Sequence, residues 1–188
     1  VSAMKYAALF LTALVLFGFQ AQGPKVRPEN WARPVINNEL ENWYQVDQKV
    51  YRSSQPGAVD MKTVEAFGIK EVLNLRDRHS DKDDARDTSL LLHRVETEAD
   101  DLSEDQILEA LKIIKNAKGP ILVHCRYGAD RTGAVIAAYR VIMQGWSKDD
   151  AIDEMVNGGF GFHKRYDNLI ERIQNLDVDR IKRELQGL

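Results

Sequence analysis

The fold of this chain is decided by residues 121–133, which read Ile121-Leu122-Val123-His124-Cys125-Arg126-Tyr127-Gly128-Ala129-Asp130-Arg131-Thr132-Gly133. The first three residues are an apolar run of the kind that is buried in parallel sheets. A helix is predicted directly afterwards, from about Asp130 to Gln144, and Gly145 closes it. In α/β folds, a loop between a strand end and a helix N-terminus is a usual place for anions to bind. The sequence therefore predicts an anion-binding loop around Cys125, here called the cysteine loop (residues 124–133).

The side chains of the cysteine loop suit phosphoryl transfer through a thiol. Cys125 lies at its mouth, where backbone N–H groups and the helix dipole stabilise a thiolate, the nucleophilic form of cysteine. Arg131 follows six residues later, and its planar guanidinium can grip two phosphoryl oxygens at once. The hydroxyl of Thr132 can reach back to the sulfur and ease its departure. Gly128 and Gly133 let the backbone turn tightly and approach a ligand.

Outside the cysteine loop, predicted strands alternate with predicted helices. Strands are expected at 49–53, 69–75, 90–95 and 121–123. Helices are expected at 59–67, from Ser103 to about Gly119, at 130–144 and 148–157, and in a last region that restarts at Asp177 or Asp179. This alternation predicts a layered α/β fold with a mostly parallel central sheet.

Three segments of different composition organise the chain. Residues 1–21 are predicted to be a signal peptide, because Lys5 precedes an uncharged apolar run at 6–19; an uncleaved N-terminal anchor is the alternative. That run is shorter than the roughly 20 residues of a membrane-spanning helix. Residues 22–42 carry three prolines and are predicted to be an extended arm. Residues 43–188 are expected to form a single domain, since a chain of this length supports one sizeable core.

Composition narrows the classes of function. A net charge of −3 and a pI near 5.8 give no basic footprint, so nucleic-acid binding is not expected. The single cysteine cannot form a disulfide within the chain. His79, His93 and His163 are scattered without metal-ligand spacing, so neither a metal nor another cofactor is predicted.

Three segments of the sequence resemble motifs of a known family. His124-Cys125, five residues, and then Arg131-Thr132-Gly133 is similar to the protein tyrosine phosphatase signature. The segment Tyr51-Arg52-Ser53-Ser54-Gln55-Pro56 resembles a motif of compact bacterial and fungal dual-specificity-like phosphatases, and Asn74-Leu75-Arg76 falls where that group has its next strand end. The resemblance implies a three-layer fold whose sheet has about four or five strands.

A further motif points to one subgroup. Gly158-Gly159-Phe160-Gly161, which comes after Gly145-Trp146 and a helix, is similar to the periplasmic tyrosine phosphatases of Gram-negative bacteria, one of which controls biofilm formation. The resemblance covers about Asn42 to Ile173. It implies a periplasmic or secreted protein, with a membrane-anchored form that faces the periplasm as the alternative.

The resemblance also implies roles for individual residues. The phosphoryl group is expected to bind the loop residues Arg126, Tyr127, Gly128, Ala129, Asp130 and Arg131. Catalysis is assigned to Cys125, Arg131, Thr132 and a general acid on the segment 96–102, here called the acid loop. Asp100 is the first choice for this acid, Asp101 the second and Glu98 the third. Each of these carboxylates has the alternative of a solvated loop charge or a helix N-terminal charge.

The expected reaction is hydrolysis of phosphomonoesters through a phosphocysteine. The substrate predicted first is phosphotyrosine in a protein, with dual specificity as a variant and the periplasmic domain of a membrane protein as a candidate partner. A monomer is expected. The alternatives are a phosphoinositide or inositol-phosphate phosphatase, a phosphoryl-binding module without catalysis, and a sulfurtransferase of the rhodanese type, which also places a cysteine in an anion-binding loop.

Overall fold

The computed structural model of the chain describes residues 27–36 and 39–187. The predicted signal peptide at 1–21 and the first part of the predicted arm, residues 22–26, lie outside the described residues. Within the described ranges, no helix combines the length and the apolarity that crossing a bilayer requires.

A six-stranded sheet forms the centre of the molecule. Its strands are β1 Arg33–Pro34, β2 Tyr44–Gln45, β3 Val50–Ser53, β4 Glu71–Arg76, β5 Leu91–Thr97 and β6 Ile121–His124. They lie in the order β1-β2-β3-β6-β4-β5. Four neighbouring strands, β3, β6, β4 and β5, are parallel. The short strands β1 and β2 add to the β3 edge in antiparallel pairing.

The predicted mostly parallel α/β sheet is confirmed, but the number of strands is not. The sheet has six strands instead of about four or five. The two strands at its β3 edge, β1 and β2, have only two residues each. A strand that short has no alternation of apolar and polar residues for a sequence pattern to reveal.

The described residues form six α-helices, which follow the predicted order. They are α1 Ala58–Phe67, α2 Glu104–Asn116, α3 Asp130–Gln144, α4 Lys148–Asn157, α5 Asn168–Gln174 and α6 Val178–Gln186, with a short 3-10 turn at Lys164–Tyr166. Ser103 begins α2 in a capping box with Gln106, which satisfies N–H groups that a helix start leaves open. The helix restart falls at Asp177, whose side chain accepts from the N–H of Arg180.

Alternating residues of the sheet pack into two cores, which gives three layers. On β6, Ile121 and Val123 belong to the larger core with helices α2 to α6. Leu122, between them, belongs to a smaller core with Met61 and Val64 of α1. Because successive strand residues point to opposite faces, the sheet lies between α1 and the other helices.

The described part of the arm packs against the same body. Trp31 is buried, and Ala32 joins the larger core. The N–H of Ala32 donates to Oε1 of Glu154 on α4 at 2.6 Å. Residues 31–34 are therefore bound to the domain through both the sheet and α4.

Candidate active site

The cysteine loop lies at the carboxyl edge of the sheet's central strand. β6 ends at His124, between β3 and β4, and α3 begins at Asp130. Ala129, the residue before α3, supplies no side-chain cap, whereas Ser103 and Ser147 cap α2 and α4. The first N–H groups of α3 are therefore open to an anion, as a phosphate-binding helix start requires.

Gly128 fits a position that no other residue could occupy without strain. Its φ is +67°, and a Cβ atom there would lie 2.4 Å from both the carbonyl carbon and the oxygen of Ser53. The loop is thus pressed against the end of β3. On the same side, the N–H of Gln55 donates to the carbonyl of Arg126 at 3.2 Å.

Arg52 supports the loop from within the protein. Its Nη2 donates to the carbonyl of Gly128 at 2.6 Å, and its guanidinium lies 3.6 Å from the centroid of the Phe160 ring. Burial lowers the pKa of Arg52 to about 10, against the opposing effect of Glu154. These contacts give Arg52 a role in supporting the loop.

His124 is held by a buried carboxylate. Its Nε2 lies 2.8 Å from Oδ2 of Asp81, and both side chains are almost fully buried. Oδ1 of Asp81 accepts hydrogen bonds from Gln55 and Asn74 at 2.9 and 3.0 Å. Burial alone would raise the pKa of Asp81. The hydrogen bond and the electrostatic interaction with His124 outweigh the effect of burial and hold this pKa below its usual value of 3.8. Asp81 thus orients His124, and the sequence analysis missed this partner.

Arg131 lies against the carboxyl ends of β4 and β5. Its Nη1 donates to the carbonyl of Thr97 at 2.8 Å and contacts Oδ1 of Asp77 at 3.4 Å. Burial alone would raise the pKa of Asp77, but its own backbone N–H and the Arg131 guanidinium hold it below its usual range. Asp77 is therefore ionised at neutral pH and serves to orient Arg131.

Two more guanidinium groups lie near Arg131. Arg76 donates to Oε1 of Gln55 at 3.1 Å, and its pKa is lowered by burial and then by the neighbouring charges of Arg131 and Arg126. Arg126 is exposed, with its guanidinium 5.1 Å from the centroid of the Tyr127 ring. The region around Cys125 is thus strongly positive. In the described parts of the chain, no group of three or more His, Cys, Asp or Glu residues is arranged to hold a metal ion.

Cys125 and Thr132 are both buried at this site. Cys125 is 2% exposed and Thr132 is fully buried. The hydroxyl of Thr132 has no hydrogen-bond partner among the described residues, Cys125 included. A contact between Thr132 and the sulfur therefore stays a prediction, although a buried hydroxyl without a partner suits a group that acts on a reaction intermediate.

An aromatic rim borders the loop, formed by Tyr127, His163 and Tyr166. Tyr127 is 49% exposed, and its ring centroid lies 5.7 Å from that of His163, which lies 6.3 Å from that of Tyr166. The carboxylate of Asp130 accepts from the N–H of His163 at 2.8 Å and contacts its Nδ1 at 2.9 Å. Because that carboxylate is bound to His163, the backbone N–H of Asp130 is the group left to bind phosphate.

The acid loop differs from the cysteine loop in that its three candidate acids have no partner among the described residues, although its first carboxylate, Glu96, pairs with Arg94 at 2.8 Å. Strand β5 runs to Thr97, so the unpaired part of the acid loop begins at Glu98. Asn168 anchors it by donating to the carbonyl of Ala99 at 2.9 Å. Glu98, Asp100 and Asp101 are exposed, and within the described residues none of them makes a hydrogen bond or an ion pair. All three are available to a substrate, and the choice of Asp100 stays a prediction.

Comparison with known proteins identifies the family. Residues 39–186 match the model of the tyrosine phosphatase family. The chain belongs to the tyrosine phosphatase family. This confirms the resemblance that the loop signature indicated, and with it the assignment of the protein as a phosphatase, a hydrolase.

Individual members of the tyrosine phosphatase family are similar along most of the chain. The dual specificity protein phosphatase TpbA of Pseudomonas aeruginosa is 30% identical over 185 residues, which cover 92% of this chain and 82% of TpbA. A crystal structure of a Cys-to-Ser variant of TpbA in complex with phosphotyrosine matches with a TM-score of 0.77 and 28% identity, over 87% of this chain and 100% of that one. The catalytic domain of the PP-IP phosphatase Siw14 from S. cerevisiae, solved with citrate, matches with a TM-score of 0.69 and 27% identity, over 79% and 93%.

Proposed function

We propose that this phosphatase hydrolyses phosphotyrosine in proteins, with Cys125 as the nucleophile. The observation that carries this substrate class is the aromatic rim beside the cysteine loop. Tyr127 comes two residues after Cys125, is half exposed, and has His163 as a neighbour whose ring is fixed by Asp130. Aromatic rings stack on one another at centroid distances of about 4.5–7 Å, so this rim favours a substrate with a ring over an alkyl phosphate.

In the first step, the thiolate of Cys125 attacks phosphorus in line and the bond from phosphorus to the tyrosyl oxygen breaks. Asp100 gives its proton to that oxygen, which leaves as the neutral tyrosine hydroxyl. The free N–H groups at the start of α3 and the guanidinium of Arg131 hold the three equatorial oxygens as their charge is redistributed. The product is a phosphocysteine and an ionised Asp100.

In the second step, the carboxylate of Asp100 takes a proton from a water molecule, which attacks the phosphorus. The bond from phosphorus to sulfur breaks, inorganic phosphate leaves, and Cys125 returns to the thiolate. The buried hydroxyl of Thr132 donates to the departing sulfur, which gives its unpartnered Oγ1 a role. No other reactant is needed, because the proton that Asp100 recovers replaces the one it gave in the first step.

A second substrate class is favoured by the charge around Cys125. Arg76, Arg126 and Arg131 bring three guanidinium groups to one region, and among the described carboxylates only Asp77 contacts one of them. A substrate with a second phosphate, such as an inositol polyphosphate, would use Arg76 and Arg126 for it. The likeness to the PP-IP phosphatase Siw14 supports this alternative.

The sequence of the first 21 residues supports export of the protein. Lys5 followed by an apolar run has the features of a signal peptide, so we place the phosphatase domain in the periplasm or outside the cell. A form that keeps the segment as an anchor would face the same compartment. The substrate would then be a phosphorylated protein within reach there, such as the periplasmic domain of a membrane protein, and the enzyme would act as a monomer. Fractionation of cells that express the full chain tests the location: recovery in the cytoplasm alone would contradict export.

The substrate assignment is tested by a panel of phosphotyrosyl peptides, phosphoseryl peptides and inositol polyphosphates. We expect the highest kcat/KM on phosphotyrosyl peptides, and we expect Cys125→Ser to abolish turnover of every substrate. A preference for inositol polyphosphates that is lost in Arg126→Ala would establish the second class instead. Turnover by Cys125→Ser would overturn the assignment of the nucleophile.

A further inference from the structure

Arg27 is distant from Cys125 in the sequence, yet its side chain reaches the segment behind the cysteine loop. Its Nε donates to the carbonyl of Ala32 at 2.8 Å, and its Nη1 donates to the carbonyl of Gly158 at 2.5 Å. The guanidinium carbon lies 5.2 Å from the centroid of the Phe160 ring. Arg27 thereby joins the arm to the glycine-rich segment that follows α4.

Phe160 carries this contact on to the cysteine loop. Its ring is 3% exposed and also contacts the guanidinium of Arg52, at 3.6 Å from the ring centroid. Arg52 in turn donates to the carbonyl of Gly128 at 2.6 Å. A continuous series of contacts therefore runs from Arg27 through Phe160 and Arg52 to Gly128, three residues after the nucleophile.

Arg52 is fully buried but has few polar contacts to fix the orientation of its guanidinium. Its side chain makes one hydrogen bond, to Gly128, and its Nε is buried without a partner among the described residues. The ring of Phe160 is thus a main determinant of where the guanidinium of Arg52 lies. Because a cation over an aromatic face is attracted by about 0.5–2 kcal/mol, a shift of the ring is expected to move Arg52.

The arm also holds the neighbouring loop residue. Nδ2 of Asn42 donates to the carbonyl of Tyr127 at 2.9 Å and to that of Phe160 at 2.8 Å. Asn42 has a positive φ of +58°. No other non-glycine residue in the described part of the chain has a positive φ. Asparagine tolerates this conformation better than most residues. The backbone at Tyr127 and Gly128 is therefore fixed by two routes that meet at Phe160.

We propose that Arg27 is a positioning residue for the cysteine loop. It acts through Phe160 and Arg52, and it sets the place of the Gly128 carbonyl and so the direction of the loop N–H groups that bind phosphate. Arg27 does not touch the substrate. The proposal rests on the assignment of Cys125 as nucleophile, and it adds that the arm is part of the catalytic apparatus as well as of the fold.

The test uses the full chain with Arg27→Ala and Arg27→Lys, and with Arg33→Ala as the matched control. Arg33 lies on the same arm but is exposed, and the only described bond of its side chain is a 3.4 Å contact from Nη2 to the carbonyl of Glu29. The substrate is p-nitrophenyl phosphate, inorganic phosphate is the competitive inhibitor, and rates are divided by the amount of phosphocysteine formed in the initial burst. We expect kcat per active site to fall about tenfold in Arg27→Ala, since small misplacements of catalytic groups cost up to about 100-fold. The inhibition constant for phosphate should rise by a similar factor, Arg27→Lys should be intermediate, and Arg33→Ala unchanged.

The route through Phe160 is tested by combining Arg27→Ala with Phe160→Leu. If Arg27 acts through this ring, its substitution should change kcat little in the Phe160→Leu background, because coupled residues are not additive. Additive losses would overturn the route. A lower Tm with unchanged kcat per active site and unchanged phosphate inhibition would overturn the proposal and reduce Arg27 to a structural role. Neither result bears on the proposed function. A different result, activity that persists in Cys125→Ser, would contradict that proposal.

Discussion

The cysteine loop and the acid loop lie at the same edge of the sheet, but they are built in opposite ways. In the cysteine loop the polar groups are held by buried partners: His124 by Asp81, and the Gly128 carbonyl by Arg52. In the acid loop the three candidate acids, Glu98, Asp100 and Asp101, are exposed and unpartnered among the described residues. The comparison indicates that the cysteine loop is held in place by contacts within the protein. In the proposed mechanism this loop binds the phosphoryl group, whereas the proton comes from an exposed side chain that no partner holds.

The largest effect expected from this contrast is a separation of activity from stability in the acid loop. Asp100→Asn should lower kcat by about 10²–10⁴, which is typical for loss of a general acid. Its free energy of unfolding should change by less than about 0.5 kcal/mol, because the residue is exposed. Steady-state kinetics and urea unfolding measure the two quantities on the same preparation.

Asp101→Asn and Glu98→Gln are the matched controls, since both carboxylates share the exposure of Asp100. Each should keep kcat within a few-fold of the wild type. If Asp100→Asn is close to wild type and one of these variants is impaired, the general acid is the residue altered in that variant.

The cysteine loop should show the reverse, a joint loss of activity and stability. Gly128→Ala places a Cβ atom 2.4 Å from the backbone of Ser53 at a left-handed φ, so we expect a loss of about 2–5 kcal/mol in unfolding free energy together with a large fall in kcat.

Gly145 provides the control for backbone strain. Its φ is +74°, but nothing lies within 4 Å of the position of a Cβ atom. Gly145→Ala should therefore cost about 1–2 kcal/mol for the left-handed conformation and leave kcat unchanged. Equal losses in the two alanine variants would show that the approach of Gly128 to Ser53 is unimportant.

The secondary structure on either side of the cysteine loop was predicted correctly because it depends on local sequence signals. The strand ending at His124 and the helix from Asp130 to Gln144 are where the apolar run and the closing glycine predicted them. The supporting partners could not be found in this way. Asp81 lies 43 residues before His124 in a charged stretch that has no periodicity, and only the parallel pairing of β4 with β6 brings it there.

The arm shows the same limit on prediction. Its three prolines predicted an extended conformation, but only β1 at Arg33–Pro34 is a strand in the described part of the arm, and the chain turns at 28–31, where the N–H of Trp31 donates to the carbonyl of Pro28 at 3.1 Å. Its contact with Phe160 through Arg27 joins residues 133 positions apart and has no local sequence signal. The three acid-loop candidates present a different case: the resemblance ranks Asp100 before Asp101 and Glu98, and that order stays a prediction because it depends on how a bound substrate is placed.

The smallest expected effect concerns the buried pair of Asp81 and His124. The lowered pKa of Asp81 means that its contribution to stability is present above the ordinary value of 3.8 and is lost as the pH falls through the pKa in the folded protein. Asp81→Asn should therefore lower the unfolding free energy by about 1–3 kcal/mol at pH 7, and the gap from wild type should shrink below about pH 4. Urea unfolding at pH 7, 5 and 3.5 measures it. Asp83→Asn, on the same loop but with a side chain that is 92% exposed, is the control, and its unfolding free energy at pH 7 should stay within about 0.5 kcal/mol of the wild type.

Trapping of the covalent intermediate tests the central claim most directly. A ³²P-labelled phosphotyrosyl peptide is mixed with the wild type and with Cys125→Ser, quenched in acid within milliseconds, and the labelled residue is located by peptide mapping. We expect label on Cys125 in the wild type, more of it in Asp100→Asn if hydrolysis of the intermediate is slowed, and none at position 125 in Cys125→Ser. Rapid turnover by the wild type without label on Cys125, or with label on another residue, would contradict the account.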